Sequence, residues 1–266
     1  MPKRFKLQDY NVEYIVAKQQ SCVLITGERI YYNILSDAYP NRCNSIFDDR
    51  NHKYDWGVYI NSSEDEAQEI DNLLKMFTYA VCLQDTLHQT FALDYYYEPY
   101  WDKPEGGLTL AGSLVHQCKY YPIDTPEHSQ QLEKLIDYFS RFFTKHPSYG
   151  QSDYLVGVPY YGEKSFDLPT TLATRLCDKF SIINGEQYVA KIRETKSMKS
   201  LEAPEEKTKN IKGAFSVSNN APFSGKRITI LDDVYRSGTT ILELASILQK
   251  AGAIVQGLVA TKTIRD

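Results

Sequence analysis

The sequence predicts an α/β chain whose main body is a doubly wound parallel sheet, preceded by a smaller α+β module. Three observations carry this. Short apolar runs at 154–159, 228–232 and 254–261 have the length and β-branched content of strands buried on both faces. Stripes at helical spacing lie between and after them, with Leu172, Ala173 and Leu176 in one and Ile241, Leu244, Ala245 and Leu248 in another. Residues 1–110 differ in texture, with brief β-prone runs broken by polar, Pro- and Asn-containing turns, so the expected domains are 1–110 and 111–266.

In the N-terminal module, residues 22–25, 30–35 and 56–60 read as strands. Ser63 and Glu66 stand at capping-box spacing, and Ile70, Leu73, Leu74, Phe77 and Val81 recur on one face, which predicts a helix over about 64–88. The cluster Tyr95, Tyr96, Tyr97, Tyr100 and Trp101 offers either a stacking surface for a planar base or the filling of a small core or subunit interface. A homodimer or a partner protein would be held through this module.

From residue 125 the pattern becomes regular. Pro126 suits a first helical position, and Leu132, Leu135, Ile136, Phe139, Phe142 and Phe143 stripe a helix that ends near His146 and Pro147. A strand at 154–159, a helix at 168–179 and a strand at 228–232 follow. The helix opened by Thr239 and Thr240 stops at Gly252, and 254–261 forms a further strand.

The junction from Ile228 to Thr240 carries the chemistry. An apolar strand delivers Asp232 and Asp233 at its carboxyl end, where open α/β sheets bind ligands, and their oxygens can accept hydrogen bonds from a sugar diol. Arg236, Ser237, Gly238, Thr239 and Thr240 then form a small, hydroxyl-rich turn into a helix, whose free amides and dipole favour a phosphate. Two adjacent carboxylates at the end of so apolar a strand are costly without a compensating partner or ligand. A sugar phosphate satisfies both halves of the junction.

This stretch resembles the phosphoribosyl-pyrophosphate (PRPP) motif of type I phosphoribosyltransferases: a hydrophobic strand, Asp-Asp, three variable residues, then Thr/Ser-Gly-x-Thr. Residues 112–266 also resemble the ComF-like branch of that superfamily. The pieces are His116 to Tyr121 (HQCKYY) against a Lys-Tyr segment, Val158-Pro159 against a Val-Pro strand end, and Phe166, Leu172 and Ala173 within KSFDLPTTLA. Lys207, Asn210 and Gly213-Ala214-Phe215 stand against Arg-x-x-Asn-x-x-Gly-Ala-Phe. The chain departs from the branch in four ways. Lys164-Ser165 replaces Arg-Gly, Lys207 takes an Arg position, the loop after Pro159 is shorter, and the Cys-rich zinc motif is absent.

The resemblance implies a type I phosphoribosyltransferase-like sheet with residues 1–110 as a hood over the acceptor. It implies PRPP as substrate, Mg²⁺ as its companion ion, and transfer of the phosphoribosyl group to a nitrogen-containing acceptor. Asp232 and Asp233 would be the catalytic carboxylates, residues 236–240 would hold the 5-phosphate, and Tyr160, Tyr161, Gly162 and Lys164 would face the pyrophosphate. The basic segment with Lys191, Arg193, Lys196, Lys199, Lys207, Lys209 and Lys212, interrupted by Glu202, Glu205 and Glu206, is either a lid over PRPP or a solvated loop. Lys191, Arg193 and Lys207 are its candidate ligand contacts. Two other classes share the fold: a non-catalytic PRPP or nucleotide sensor, and a partner-controlled defence or toxin effector acting on nucleotides.

Composition narrows the field. Across 266 residues the net charge is −4, with no dominant basic run, so a broad nucleic-acid footprint is not indicated. Cys22, Cys43, Cys82, Cys118 and Cys177 are scattered and odd in number, which argues for reduced thiols rather than a disulfide framework or zinc ribbon. His52, His88, His116, His128 and His146 lack metal-ligand spacing and are expected to be structural. No protein metal-ligand set is assigned. The polar start MPKRFKLQDYN and the lack of a long apolar run predict a cytoplasmic protein without a membrane association.

Overall fold

A computed structural model describes residues 3–50, 53–99, 106–162, 164–196, 201 and 203–264. Its strands are β1 (Lys3–Phe5), β2 (Asp9–Ile15), β3 (Gln20–Thr26), β4 (Trp56–Asn61), β5 (Val81–Gln84), β6 (Thr90–Tyr95), β7 (Tyr154–Gly157), β8 (Ile183–Asn184), β9 (Val189–Lys191), β10 (Phe215–Val217), β11 (Arg227–Tyr235) and β12 (Ile254–Lys262). Its helices are α1 (Ile30–Ala38), α2 (Glu64–Phe77), α3 (Leu110–Tyr120), α4 (Pro126–Lys145), α5 (Pro147–Gly150), α6 (Leu168–Phe180), α7 (Pro204–Ile211) and α8 (Thr239–Lys250).

The chain divides into two compact units, one of residues 1–3, 83–140 and 151–266, the other of residues 4–82 and 141–150. The division therefore falls between residues 82 and 83 rather than at 110. The reason is β6, which pairs in parallel with β12 and makes residues 90–95 part of the main sheet. Pairing of distant strands is a tertiary fact that local texture does not encode.

In the larger unit, β6, β12, β11, β7 and β8 lie side by side in that order, each neighbouring pair parallel. Ile228, Ile230, Leu231, Val255, Leu258, Val259 and Ala260 are all essentially inaccessible. Strands so uniformly buried are covered on both faces, which is the doubly wound arrangement. α3 lies on β6 and β12, α6 on β7 and β11, and α8 on β11 and β12. From β7 the chain moves outward to β8, whereas from β11 it moves the opposite way to β12. The order reverses between β7 and β11, and a crevice opens at the carboxyl ends of such a pair.

Glycines permit the close approaches. A Cβ at Gly157 would strike the main chain of Pro169 and Thr170, so the end of β7 and the start of α6 meet backbone to backbone. Gly112 likewise lies against the main-chain carbonyl of Tyr96, bringing α3 down onto the segment after β6. Thr109 caps α3 by accepting from Gly112 N, while its hydroxyl donates to the Tyr95 carbonyl.

The smaller unit is an antiparallel sheet, β2-β3-β4, with α1 and α2. Residues 30–35 are helical instead of extended, because Tyr31, Ile34 and Leu35 bury at helical spacing. α2 has the expected capping box: Ser63 Oγ accepts from Glu66 N at 3.2 Å and Glu66 Oε2 accepts from Ser63 N at 2.8 Å. It stops at Phe77, well before 88, and Val81–Gln84 is a strand. Val81 continues the apolar run without continuing the helix. All five cysteines are free thiols. Among the described residues, no helix is long and apolar enough to cross a membrane.

Candidate functional site

The switch point between β7 and β11 is built by divergence. β7 pairs with β11 from Ile228 to Leu231, and one further hydrogen bond, Val158 N to the Leu231 carbonyl at 2.9 Å, closes the ladder. β11 runs on through Asp232, Asp233, Val234 and Tyr235 beside β12 alone. Two adjoining cavities occupy the opening. One, of about 230 Å³, is lined by Asp232, Asp233 and residues 234–241 together with Tyr96, Lys119, Tyr120 and Val158. The other, of about 400 Å³, shares Lys119, Tyr120, Val158 and both aspartates, and adds Pro159, Tyr160, Lys164, Asp167 and Lys191 among others.

The turn into α8 is shaped for an anion. Gly238 has φ +80°, a left-handed conformation that L side chains rarely adopt, and α8 starts from it with no side-chain cap. Among the described residues, the amides of Ser237, Gly238, Thr239 and Thr240 donate to no protein acceptor. The first main-chain bond of this end runs from Leu242 N to the Gly238 carbonyl. Ser237 and Thr239 hydroxyls share a 2.7 Å hydrogen bond, and the Thr240 hydroxyl lines the cavity. Free donors at the positive end of a 12-residue helix favour an anion.

Beneath the turn, buried polar groups fix its shape. Lys262 is fully buried, and its Nζ donates to the Arg236 carbonyl at 2.6 Å and the Thr263 carbonyl at 2.7 Å. The Tyr235 hydroxyl donates to Asp85 Oδ2 at 3.1 Å, and Asp85 also accepts from Leu87 N and Thr90 Oγ1. Burial raises the Asp85 carboxyl above its ordinary range, with those donors pulling the other way.

The aspartates differ in surroundings. Asp233 forms an ion pair with Lys119, which arrives on the last turn of α3. Asp232 Oδ1 accepts from Asp233 N at 2.8 Å, and its carboxyl is raised by burial and then by the neighbouring Asp233 charge. Burial works against the charge on Lys119, yet Asp233, and behind it Asp232, hold its ammonium above the usual lysine value. Asp167, the N-cap of α6, is raised by burial and steadied by Thr170 N.

Of the residues picked from the sequence, Asp232, Asp233, Arg236, Ser237, Gly238, Thr239 and Thr240 meet in the first cavity. Tyr160, Lys164 and Lys191 line the second, with Lys164 Nζ 3.8 Å over the Tyr160 ring. Tyr161 and Gly162 follow on an exposed turn and line neither cavity. Arg193 and Lys207 do not line them either. The Arg193 guanidinium donates to the Asn210 and Lys212 carbonyls, and Lys207 is buried with Ile211 on one face of α7. Asn210 clamps the Lys196 main chain at both N and O, and Gly213 turns with φ +67°. Residues 210–214 are thus tied to the segment that follows β9, through Arg193 and through Ile192 N to the Ala214 carbonyl. Lys199, Glu202, Tyr100, Trp101 and His52 lie outside the described residues.

Lys119, Tyr120, Tyr96 and Asp167 line the cavities although none was named as a site residue: the first two lay in the HQCKYY segment, Tyr96 in the aromatic cluster and Asp167 in KSFDLPTTLA. For Asp167 a signal existed, an acidic residue two positions before Pro169 at a helix start. For Lys119 the HQCKYY resemblance was the signal, while its reach to the aspartates depends on the close approach of α3 that Gly112 allows.

No protein-family model matches the chain. Over 104 residues it is 29% identical to Competence protein F of Haemophilus influenzae, a stretch that is 37% of this chain and 44% of that protein. The chain therefore spans less than half the length of that curated relative. The match agrees with the ComF-like resemblance carried by the motifs.

Solved structures with a likeness include adenine phosphoribosyltransferase from Saccharomyces cerevisiae, with 16% identity over 57% of this chain and 89% of that one at a TM-score of 0.38. The adenine phosphoribosyltransferase of Leishmania tarentolae gives 10%, 66%, 91% and 0.39 for the same measures. The orotate phosphoribosyltransferase of Aeropyrum pernix gives 19%, 57%, 80% and 0.33. These likenesses are distant, and the fold stands on the strand order and register above.

Proposed function

We propose that this chain binds PRPP and transfers its phosphoribosyl group to a nitrogen-containing acceptor. The observation that carries the reading is the set of free amides at residues 237–240 beside twin carboxylates at the β7–β11 switch point. The 5-phosphate sits on those amides and the Thr240 hydroxyl. The ribose hydroxyls donate to Asp232 and Asp233, which fixes the sugar and places negative charge near C1 as positive charge develops there. The pyrophosphate lies in the second cavity toward Lys164 and Lys191, whose charges favour its departure.

Mg²⁺ fits this site only in company with the ligand. Among the described residues no three His, Cys, Asp or Glu side chains gather as a metal set, and one of the two site carboxylates already pairs with Lys119. An ion that keeps waters and uses phosphate oxygens plus one or two carboxylates suits such a donor set. When bound, Mg²⁺ supplies charge neutralisation on the pyrophosphate. The chain's own residues hold the sugar, order the phosphate and line the crevice.

A PRPP or nucleotide sensor is the second reading, favoured by the exposed turn after Pro159 and by Lys164, a point charge without the bidentate fork of an arginine. Titration calorimetry with PRPP tests both, and lack of binding removes both. Pyrophosphate release with a panel of purine, pyrimidine and amide acceptors then decides for the enzyme, whereas binding without release decides for the sensor.

A further inference from the structure

Lys119 is the cation that lines both cavities among the described residues. Its Nζ pairs with Asp233, yet its side chain is 36% exposed, so an ammonium with three N–H groups retains donors toward the opening. In the second cavity it is joined by Lys164 and Lys191, from the turn after β7 and the end of β9. Three lysines from three segments face three carboxylates there, Asp167, Asp232 and Asp233. Without Lys119 the charges on the wall shared by the two cavities would be those of Asp232 and Asp233 alone, which repel a second anionic group.

We propose that Lys119 is a resident countercation for the twin aspartates that also grips an anion in the second cavity, so that a diphosphate binds there without a divalent metal. The inference rests on the reading above for the identity of the first cavity's ligand, but its own content is the lysine's work at the shared wall. Lys119 divides its donors between Asp233 and a phosphate oxygen, offsetting the carboxylate charge that the ribose hydroxyls require. It sits on the last turn of a helix that Gly112 allows to pack against the Tyr96 main chain.

The test is calorimetry with two probes, inorganic pyrophosphate and ribose 5-phosphate, each in EDTA and in Mg²⁺, on the parent, Lys119→Met and Lys119→Arg. The parent should bind pyrophosphate in EDTA. Lys119→Met should bind it at least about tenfold more weakly in EDTA, as expected for loss of a charge-assisted contact, and recover most of that in Mg²⁺. Lys119→Arg should stay close to the parent, and ribose 5-phosphate, which meets Lys119 only through the aspartates, should lose clearly less affinity than pyrophosphate in Lys119→Met. A purely structural lysine predicts instead equal losses for both probes with no new response to Mg²⁺. Metal-dependent pyrophosphate binding by the parent overturns the proposal even if Lys119→Met does not fold, and so does unchanged or tighter binding by that variant. If the parent ignores ribose 5-phosphate, the assignment of the first cavity fails, while the pyrophosphate result still judges Lys119.

Discussion

The hydroxyl of Tyr235 occupies the space where a side chain at Gly238 would begin. Strand end and the 236–240 turn are thereby fitted to each other, with Asp85 holding the tyrosine from behind. Gly238→Val should abolish ribose 5-phosphate binding, and Gly238→Ala should weaken it more than about tenfold, because the left-handed backbone costs roughly 1–2 kcal/mol before any steric conflict. Calorimetry with ribose 5-phosphate checks this. Tyr235→Phe should keep the turn's shape and bind nearly normally.

Thr240 lends a hydroxyl without shaping the backbone. Thr240→Ala should weaken sugar-phosphate binding by about 1.5–3 kcal/mol, the usual range for a hydrogen bond to a charged group. Unfolding temperature should be unchanged. Equal affinity in parent and variant would place the phosphate elsewhere.

Lys262 ties the Arg236 carbonyl to the end of β12 from inside the protein. Lys262→Met leaves one buried and one partly buried carbonyl short of a donor, which should cost about 2–4 kcal/mol of stability. Chemical denaturation measures the loss, and phosphate affinity should fall with it because the first residue of the turn is released.

Glu186 gives a pH signature. Burial pushes its carboxyl up to about 7, and Oε1 has no hydrogen-bond partner among the described residues. Since the folded-state value lies above the unfolded one, the folded protein binds the extra proton, and this group's contribution to stability falls as pH rises from about 4.5 to about 7. Glu186→Gln should therefore raise the unfolding temperature at about pH 8, with the gain shrinking toward about pH 4. A gain that is the same at both ends of that range would mean that ionisation of this group is not the cause.

The β11 to α8 junction was legible because strand, carboxylates, turn and helix follow one another within thirteen residues, and each has a local physical signature. The same holds for the Ser63–Glu66 capping box and the stripe of α4. Pairing was not legible: β6 joins the sheet through residues far along the chain, and Tyr96 enters the site with it. The segment 30–35 misled because aromatic and β-branched residues suit strands, yet burial at Tyr31, Ile34 and Leu35 favours a helix. Charge alone did not say where Arg193 and Lys207 lie: the one holds the Asn210 and Lys212 carbonyls, the other is buried on α7, and neither lines the two cavities. A sequence shows that a cation exists but not what it faces.

The last rung between β7 and β11, from Val158 to Leu231, separates what is rigid from what is free to vary. Below it, every residue answers to neighbours on two strands. Above it, Pro159 to Gly162 have no rung on β11 and form an exposed turn beside the second cavity. Substitutions on that exposed turn would therefore reshape the second cavity while leaving the 236–240 turn at the far end of the first as it is.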